Sequence, residues 1–312
     1  MVVNPAAGGG RAGQLWPACA AALRRGGCVV QEARSGTPAG VTELTRRALR
    51  EGWPTVVAVG GDGTANLVAN GFFADNARGE PINPAACFGL IPCGTSNDLA
   101  HGLGLPHGQA AVATLLAGRG RVMDVGRVAY GQGGGVARHF LNVADLGLGG
   151  HAVRRAARLP RALGGKGAFL VAAVWTALAH HDVPVRVFVG DDARGAAVDL
   201  ALLVVANGQA YGGGMRVAPM AQWDDGLLEV LWAGGVSRPR LLLDLIPRVY
   251  RGAHLGRPGV AHHTVTSVRV TSECELLLQV DGEVVGDVSP EATFSVLPGA
   301  LRVLTPPAVR LS

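Results

Sequence analysis

Val56-Val57-Ala58-Val59-Gly60-Gly61-Asp62-Gly63-Thr64 is the stretch whose reading decides the fold of this chain. A short unbroken apolar run that stops at glycine reads as a strand buried on both faces, as in parallel sheets. Three glycines then bracket one aspartate, and Thr64 stands where it would cap a helix running from Ala65 towards Phe73. Glycine lets backbone amides approach an anion closely, and a helix N-terminus adds N–H groups and partial positive charge. A carboxylate inside such an anion cradle is repelled by phosphate unless a divalent cation lies between the two. The stretch therefore predicts metal-assisted phosphate chemistry.

Working outward, residues 1 to about 123 alternate strand and helix. Strands are predicted at Val2-Val3, Cys28–Ala33, Val56–Val59 and Cys87–Ile91, with helices at Gln14–Arg25, Val41–Glu51, after Thr64, and at Gln109–Ala117. This alternation predicts an open parallel, Rossmann-like α/β sheet covered on both faces, with ligands beyond the carboxyl ends of its strands. The glycine-rich segments Gly8-Gly9-Gly10, Gly60–Gly63 and Pro92-Cys93-Gly94-Thr95 fall at those ends. From about Asp124 strand candidates follow one another: Phe140–Asp145, Val185–Val189, Leu200–Ala206, Leu227–Trp232, Ser267–Thr271, Leu276–Val280 and Thr293–Leu297. Only the helices Lys166–His181 and Arg240–Arg251 interrupt them, so a mostly antiparallel β-sandwich is expected over 124–298. The first domain is expected to span 1–123, with the tail from about 299 to 312 packing back on it. The two are expected to share a cleft.

The chain has 312 residues, 48% hydrophobic and 16% charged, which is ample apolar material for two cores. Its formal charge of +5 favours acidic partners such as nucleotide phosphates or anionic membrane surfaces, and decides little alone. Lys166 is the one lysine among 28 basic residues, a bias of composition, so the arginines are not read one by one. Five scattered cysteines form no C-x-x-C pair, and reduced thiols in a cytoplasmic protein are the simplest expectation. Asn4-Pro5 and a glycine run follow Met1 almost at once, unlike a signal peptide. The apolar run Ala168–Ala179 is shorter than the ~18 residues a bilayer span needs. Contact with a membrane is therefore expected from its surface.

Four segments carry chemistry when taken together. They are Asn4–Arg11; Gly60–Thr64; Ile91–Ala100, with Thr95, Ser96, Asn97 and Asp98 at a helix start; and a divided set in the second half. That set comprises Tyr211–Pro219, Asp224-Asp225-Gly226 and Gln279–Glu283. Singly, Asp224-Asp225-Gly226 and Asp281-Gly282 read as hairpin turns and Ser96–Asp98 as a helix cap.

Taken in order, these pieces resemble the diacylglycerol kinase catalytic family of lipid kinases, its bacterial branch related to sphingosine and ceramide kinases. The matching residues are Asn4-Pro5 with Gly8, Gly60–Thr64 with Asn66, Pro92 with Gly94-Thr95 and Asn97-Asp98, and Asn142 with Gly147. Asn207-Gly208, Gly212–Gly214, Ala218-Pro219 with Asp225-Gly226, and Asp281-Gly282-Glu283 complete the set. The resemblance implies a nucleotide-binding α/β domain, a β-sandwich carrying the lipid pocket, and ATP with Mg²⁺. It implies that Asn4, Pro5, Gly8, Thr37, Gly60, Gly61, Gly63, Thr64, Asn66, Gly94, Thr95 and Asn97 border the nucleotide. Asp62 would hold Mg²⁺ with help from Thr95 and Asp98. Asp281 and Glu283 match the segment that supplies the catalytic carboxylate, and either is a candidate for the base. Gln222, Asp225 and Leu227 match a loop that holds a second, structural Mg²⁺ in some members.

Two segments depart from the family. Leu67 stands where an acid is usual, and Leu99-Ala100-His101 replaces Phe-Ala-Arg. The expected activity is ATP-dependent phosphorylation of a lipid hydroxyl, diacylglycerol first, by a cytoplasmic protein peripheral at the inner face of the cell membrane. Its partners are ATP and a lipid at the membrane surface, with no nucleic acid and with a homodimer left open. An NAD kinase, which shares Gly-Gly-Asp-Gly-Thr, and a non-catalytic nucleotide-binding regulator are the alternatives.

Other signals are discounted. Gly147-Leu148-Gly149-Gly150-His151-Ala152 mimics a dinucleotide fingerprint, but no acid lies between Asp145 and Asp182 to bind a ribose. Gly164-Gly165-Lys166-Gly167 lacks the Ser or Thr of a Walker motif, and the pairs His180-His181 and His262-His263 have no metal-site spacing. Arg154, Arg155, Arg158, Arg161 and Lys166 form a basic run that suits either solvent or anionic headgroups. The helix carrying Phe169, Leu170, Val174, Trp175 and Leu178 is expected to face a core rather than a membrane.

Overall fold

The computed structural model describes residues 1–74, 79–131, 134–159, 164–179 and 181–306, with side chains of the 164–179 helix described from Gly167. Arg161, His180, the Lys166 side chain and the tail beyond Pro306 lie outside these residues. The chain divides into two compact units, Met1–Met123 with Gly299–Ser312, and Asp124–Pro298.

The first unit is built on parallel strands β1 (Val2–Val3), β2 (Ala33–Arg34), β3 (Thr55–Gly60) and β4 (Cys87–Pro92), in the order β2-β1-β3-β4. The end of the chain's last strand adds a further parallel partner, with Arg302 opposite Cys87. Helices α1 (Arg11–Arg25), α2 (Pro38–Arg50), α3 (Asp62–Asn70), α4 (Asp98–Gly102) and α5 (Ala111–Ala117) accompany it. Apolar side chains repeat on α1 at helical spacing, so Ala12, Trp16, Cys19, Ala20 and Leu23 are buried together. Val56 to Val59 are buried on both faces of β3, as their unbroken apolar run requires.

Two expectations need correction here. The strand expected over 28–33 is paired only at Ala33–Arg34. β2 is an edge strand, its one neighbour β1 is two residues long, and Val29 projects into solvent at 84% exposure. Thr64 does not cap a helix starting at Ala65. The helix starts at Asp62 with Gly61 in the cap position, because Gly61 is extended and Asp62 already turns. Thr64 is instead buried in the first turn, seated on bare Gly60, where a Cβ would lie 2.4 Å from its Oγ1.

The second unit is antiparallel. Its strands are β5 (Gly120–Tyr130, entering from the first unit), β6 (Val136–Phe140), β7 (Val143–Gly147), β8 (Val183–Val189), β9 (Ala196–Ala206), β10 (Leu228–Gly234), β11 (Val260–Val265), β12 (Ser267–Thr271), β13 (Leu277–Val280), β14 (Glu283–Asp287) and β15 (Glu291–Leu304). The main path runs β14-β13-β7-β9-β8-β12-β15, with β10 between β9 and β11, and β5 paired with β6. Phe140, Leu146, Leu203 and Phe294 centre its core, with the two phenylalanine rings edge-on at 6.5 Å. Helices α6 (Leu148–Ala156) and α7 (Gly164–Ala179), with the helical run 238–249, cover another cluster around Leu148, Ala177, Ala201 and Leu245. The strand β7 before Gly147–Ala152 pairs antiparallel with β9 and β13, which removes the dinucleotide reading of that glycine run.

Candidate functional site

In the first unit the carboxyl ends of β1, β3 and β4 bring the three glycine-rich loops together. A Cβ on Gly8 would sit 2.0 Å from the Cys93 carbonyl oxygen, and one on Gly94 would sit 2.5 Å from Gly61 Cα. Only glycine permits this approach. The Cys93 amide donates to the Gly60 carbonyl at 2.7 Å, locking the second loop to the third. Gly9 and Gly10, at φ 69° and 93°, have open space where a Cβ would point. Pro5 follows Asn4 into this loop, and the Asn4 side chain accepts the Ala6 amide and donates to Thr64 Oγ1 at 3.3 Å.

Asp62 stands at the centre of this edge. The amides of Asp98 and Leu99 donate to its Oδ2 and Oδ1, each at 3.2 Å. A carboxylate offers about four acceptor positions, enough to serve amides and a cation or its waters together. Asp98 opens α4 beside it, and oxygen-only donors are the kind Mg²⁺ takes. Thr95 is exposed on the same loop.

Several sequence-derived positions bond within their own segments. Asn97, left-handed at φ 50° and 2% exposed, clamps its own loop: Nδ2 donates to the Gly94 carbonyl and Oδ1 accepts the Gly94 amide. The side chain of Asn66 accepts from Asn70 within α3. Thr37 caps α2 through the Gly40 amide, with Pro38 following. Leu67 is buried, so an apolar contact occupies the place of the family's acid. His101 and His107 meet with their Nε2 atoms 3.1 Å apart, a pair that no motif in the chain joins.

In the second unit Asp281 and Glu283 differ sharply. Asp281 adopts φ 46°, and its carboxylate accepts three backbone amides: Leu141 at 2.8 Å, and Asn142 and Val143 at 2.9 Å. This binds the β13–β14 turn to the start of β7 and occupies the oxygens. Glu283 reaches the surface from the first position of β14. Partial burial and then the Asp281 charge push its carboxyl up, against the pull of Arg138. The turn is braced further: Asn142 donates to Ala210, its carbonyl accepts Asn207 and Gly208, and Asn207 Nδ2 donates to Asp124 and Leu141 carbonyls.

Gln222, Asp225 and Leu227 lie on one loop, where the Leu227 amide donates to Asp225 Oδ1. Burial, with the charges of Asp124 and Glu229, pushes the Asp225 carboxyl up. Asp124 is a buried acid beside this loop and accepts the Gly226 amide at 2.6 Å. Sequence reasoning missed it, although one charge inside Met123-Asp124-Val125 was a signal. No cluster of three or more His, Cys, Asp or Glu able to hold a metal stands among the described residues. An ion on this loop would rest on Asp124 and Asp225 with amide and carbonyl oxygens.

The second unit also holds an apolar cavity of about 120 Å³ that opens to solvent on one side. Leu148, Phe169, Leu202, Leu231, Leu245 and Val249 are among its walls, and Tyr211 and His254 supply its polar side chains. Phe169 and Ala173 of α7 face it, while Leu170, Val171, Val174, Trp175 and Leu178 of the same helix are exposed. The expectation that α7 packs wholly into a core is therefore corrected. One face closes a cavity and the other presents an apolar patch with the Arg155 guanidinium 5.6 Å from the Trp175 ring. Among the described residues no helix is long and apolar enough to cross a membrane.

Residues 1–128 match the family model of the diacylglycerol kinase catalytic domain, and residues 142–305 match that of the YegS C-terminal NAD kinase beta sandwich-like domain. A diacylglycerol kinase of Mycobacterium tuberculosis (strain H37Rv) is 30% identical over 98% of this chain and 94% of its own length. A Chromohalobacter salexigens protein named probable lipid kinase YegS-like is 33% identical over 84% of this chain and 79% of its own. The fold is similar to that of a crystal structure of a diacylglycerol kinase from Bacillus anthracis, with a TM-score of 0.71 at 20% identity, covering 99% and 96% of the two chains.

Proposed function

We propose that this chain, which belongs to the diacylglycerol kinase catalytic family and is a lipid kinase, transfers the γ-phosphate of ATP to the hydroxyl of diacylglycerol. The observation that carries the choice of a lipid acceptor is the apolar cavity of the second unit. Its wall strand β9 is joined through β7 and β13 to the turn that bears Glu283. The dinucleotide acceptor of an NAD kinase would need charged partners, and this cavity wall is apolar apart from a few neutral polar groups such as those of Tyr211 and His254.

The amides of the glycine loops in the first unit would hold phosphate, and Asp62 with Asp98 would hold Mg²⁺. When bound, Mg²⁺ neutralises charge on the transferred phosphoryl group. Glu283 accepts the proton of the attacking lipid hydroxyl, and Asp281 holds its turn in place. An alcohol becomes an effective nucleophile only when a positioned base takes that proton.

Labelled ATP, Mg²⁺ and a lipid panel in mixed micelles test this reading. A labelled phospholipid formed from diacylglycerol by the wild type, and reduced at least about 100-fold by Asp62→Ala, is the expected result. Labelled product from NAD⁺ and from no lipid would favour the NAD kinase. ATP binding with no product from any acceptor would favour the regulator.

We also place the enzyme peripherally at the inner face of the membrane, through the exposed face of α7. Leu170, Trp175 and Leu178 supply apolar insertion, and Arg154, Arg155 and Arg158 supply attraction to anionic headgroups. Trp175→Ala with Leu178→Ala is expected to weaken binding to phosphatidylglycerol vesicles at least about tenfold in a sedimentation assay. Unaltered sedimentation would remove this face from consideration.

A further inference from the structure

Asp145 is a fully buried acid that phosphoryl transfer does not use. It lies on β7 opposite Gln279 of β13, and both side chains are wholly enclosed. Gln279 Nε2 donates to Asp145 Oδ2 at 2.7 Å, and Gln279 Oε1 accepts the Gly282 amide at 2.6 Å. The two partners fix which end of the Gln279 amide is which, since the Gly282 N–H can only donate. Gly282, at φ 87°, is the residue between Asp281 and Glu283. The Tyr211 hydroxyl and the Gly150 amide lie near enough to the Asp145 carboxyl to favour its charged form. The Tyr211 side chain lines the apolar cavity. Gly149 must be glycine here, because a Cβ would come within 2.2 Å of both carboxyl oxygens.

An enclosed polar cluster is destabilising unless fully satisfied, and Asp145 Oδ1 lacks a hydrogen bond of good geometry. Apolar residues would fill the same volume at lower free energy. The cluster's distinction is its route, from the cavity wall through three side chains to the turn that carries Glu283.

We infer that Tyr211, Asp145 and Gln279 form a positioning relay, which transmits the filling of the lipid cavity to the Gly282 amide and so sets where the Glu283 carboxylate stands. The inference rests on the lipid kinase reading and adds to it a sensing of acyl chains. Lipid against Tyr211 restrains its hydroxyl, the hydroxyl restrains Asp145, and Gln279 passes the restraint to the turn. Tyr211, Gln279 and the Gly150 amide face Asp145, while Arg138 and Asp281 act on Glu283.

Gln279→Leu and Tyr211→Phe, assayed with dioleoylglycerol and with short-chain dihexanoylglycerol, test the relay. Gln279→Leu is expected to lower kcat about 100-fold, with KM for ATP little changed, since a displacement near 1 Å suffices. Tyr211→Phe, which removes the hydroxyl beside Asp145, is expected to lower kcat about fivefold with dioleoylglycerol only. Asp145→Asn keeps an oxygen able to accept from Gln279, and is expected to restore the turnover that Asp145→Leu loses. Wild-type kcat in Gln279→Leu, or equal losses on both lipids in Tyr211→Phe, would overturn the relay. If Gln279→Leu does not fold, the chain-length contrast in Tyr211→Phe decides. If the wild type phosphorylates no lipid, the kinase reading fails separately, and hydrogen exchange still reads the relay. Dioleoylglycerol is then expected to slow exchange at Gly282 and Glu283 in the wild type and not in Tyr211→Phe, and the same response in both proteins would end the idea.

Discussion

Glu283→Gln is expected to lower kcat for lipid phosphorylation by roughly 10²–10⁴-fold while ATP affinity stays near that of the wild type. Glutamine keeps the size and the hydrogen-bonding of the side chain and removes its capacity to take a proton. The choice of Glu283 over Asp281 follows from their partners. Asp281 accepts three backbone amides and is committed to the turn, whereas Glu283 heads β14 at the surface. Burial and the Asp281 charge push the Glu283 carboxyl up from 4.5, with Arg138 opposing them. A base must be unprotonated, so wild-type kcat is expected to rise with pH through that raised value and then level. The acid limb should vanish in Glu283→Gln, which leaves only a low, flat rate. Asp281→Asn is expected to behave differently. One amide oxygen cannot replace two carboxylate oxygens for three donors, so an amide left unsatisfied costs about 1–3 kcal/mol of stability. Its signature is a lowered melting temperature. A Glu283→Gln protein that turns over normally, beside an inactive but fully stable Asp281→Asn protein, would exchange the two roles.

That division of labour marks the limit of what the chain's sequence discloses. Val56–Val59 could be read as a buried strand because an unbroken apolar run has few other uses, and Gly60, Gly61 and Gly94 could be read as a cradle because nothing larger fits. Asp281-Gly282 reads locally as a turn and by resemblance as a catalytic segment; the turn is there, made by Asp281 directly before Glu283 and β14. What stayed hidden depends on residues distant in sequence. Asp124 gains meaning only beside Asp225, about 100 residues on, and Asp145 only across from Gln279. The misreading of α7 has the same origin. A helix apolar all round looks like core, and periodicity cannot say that one face lines a cavity and another faces out. The helix starts three residues earlier than Thr64 suggests because Gly61, extended and without a side chain, serves as the cap.

Asp145 yields the other large expected effect, on stability rather than turnover. Burial pushes its carboxyl from the usual 3.8 up to about 7, against the donors Gln279, Tyr211 and Gly150. The folded protein therefore holds this proton more tightly than the unfolded chain does. The resulting stabilisation is fully present below about pH 4, is lost as pH rises towards 7, and changes little above that. The interval between 3.8 and about 7 corresponds to on the order of 4 kcal/mol. Asp145→Asn cannot ionise, so it should match the wild type near pH 4 and exceed it increasingly up to neutrality. For a unit of this size the gain in melting temperature near pH 7.5 is expected to be roughly 8–16 °C. Melting both proteins by calorimetry at intervals from pH 4 to pH 8 measures it. A difference that stays flat across that range would mean that Asp145 ionises in the fold as readily as in the unfolded chain, which an acid wholly enclosed and with Oδ1 unpartnered should not do.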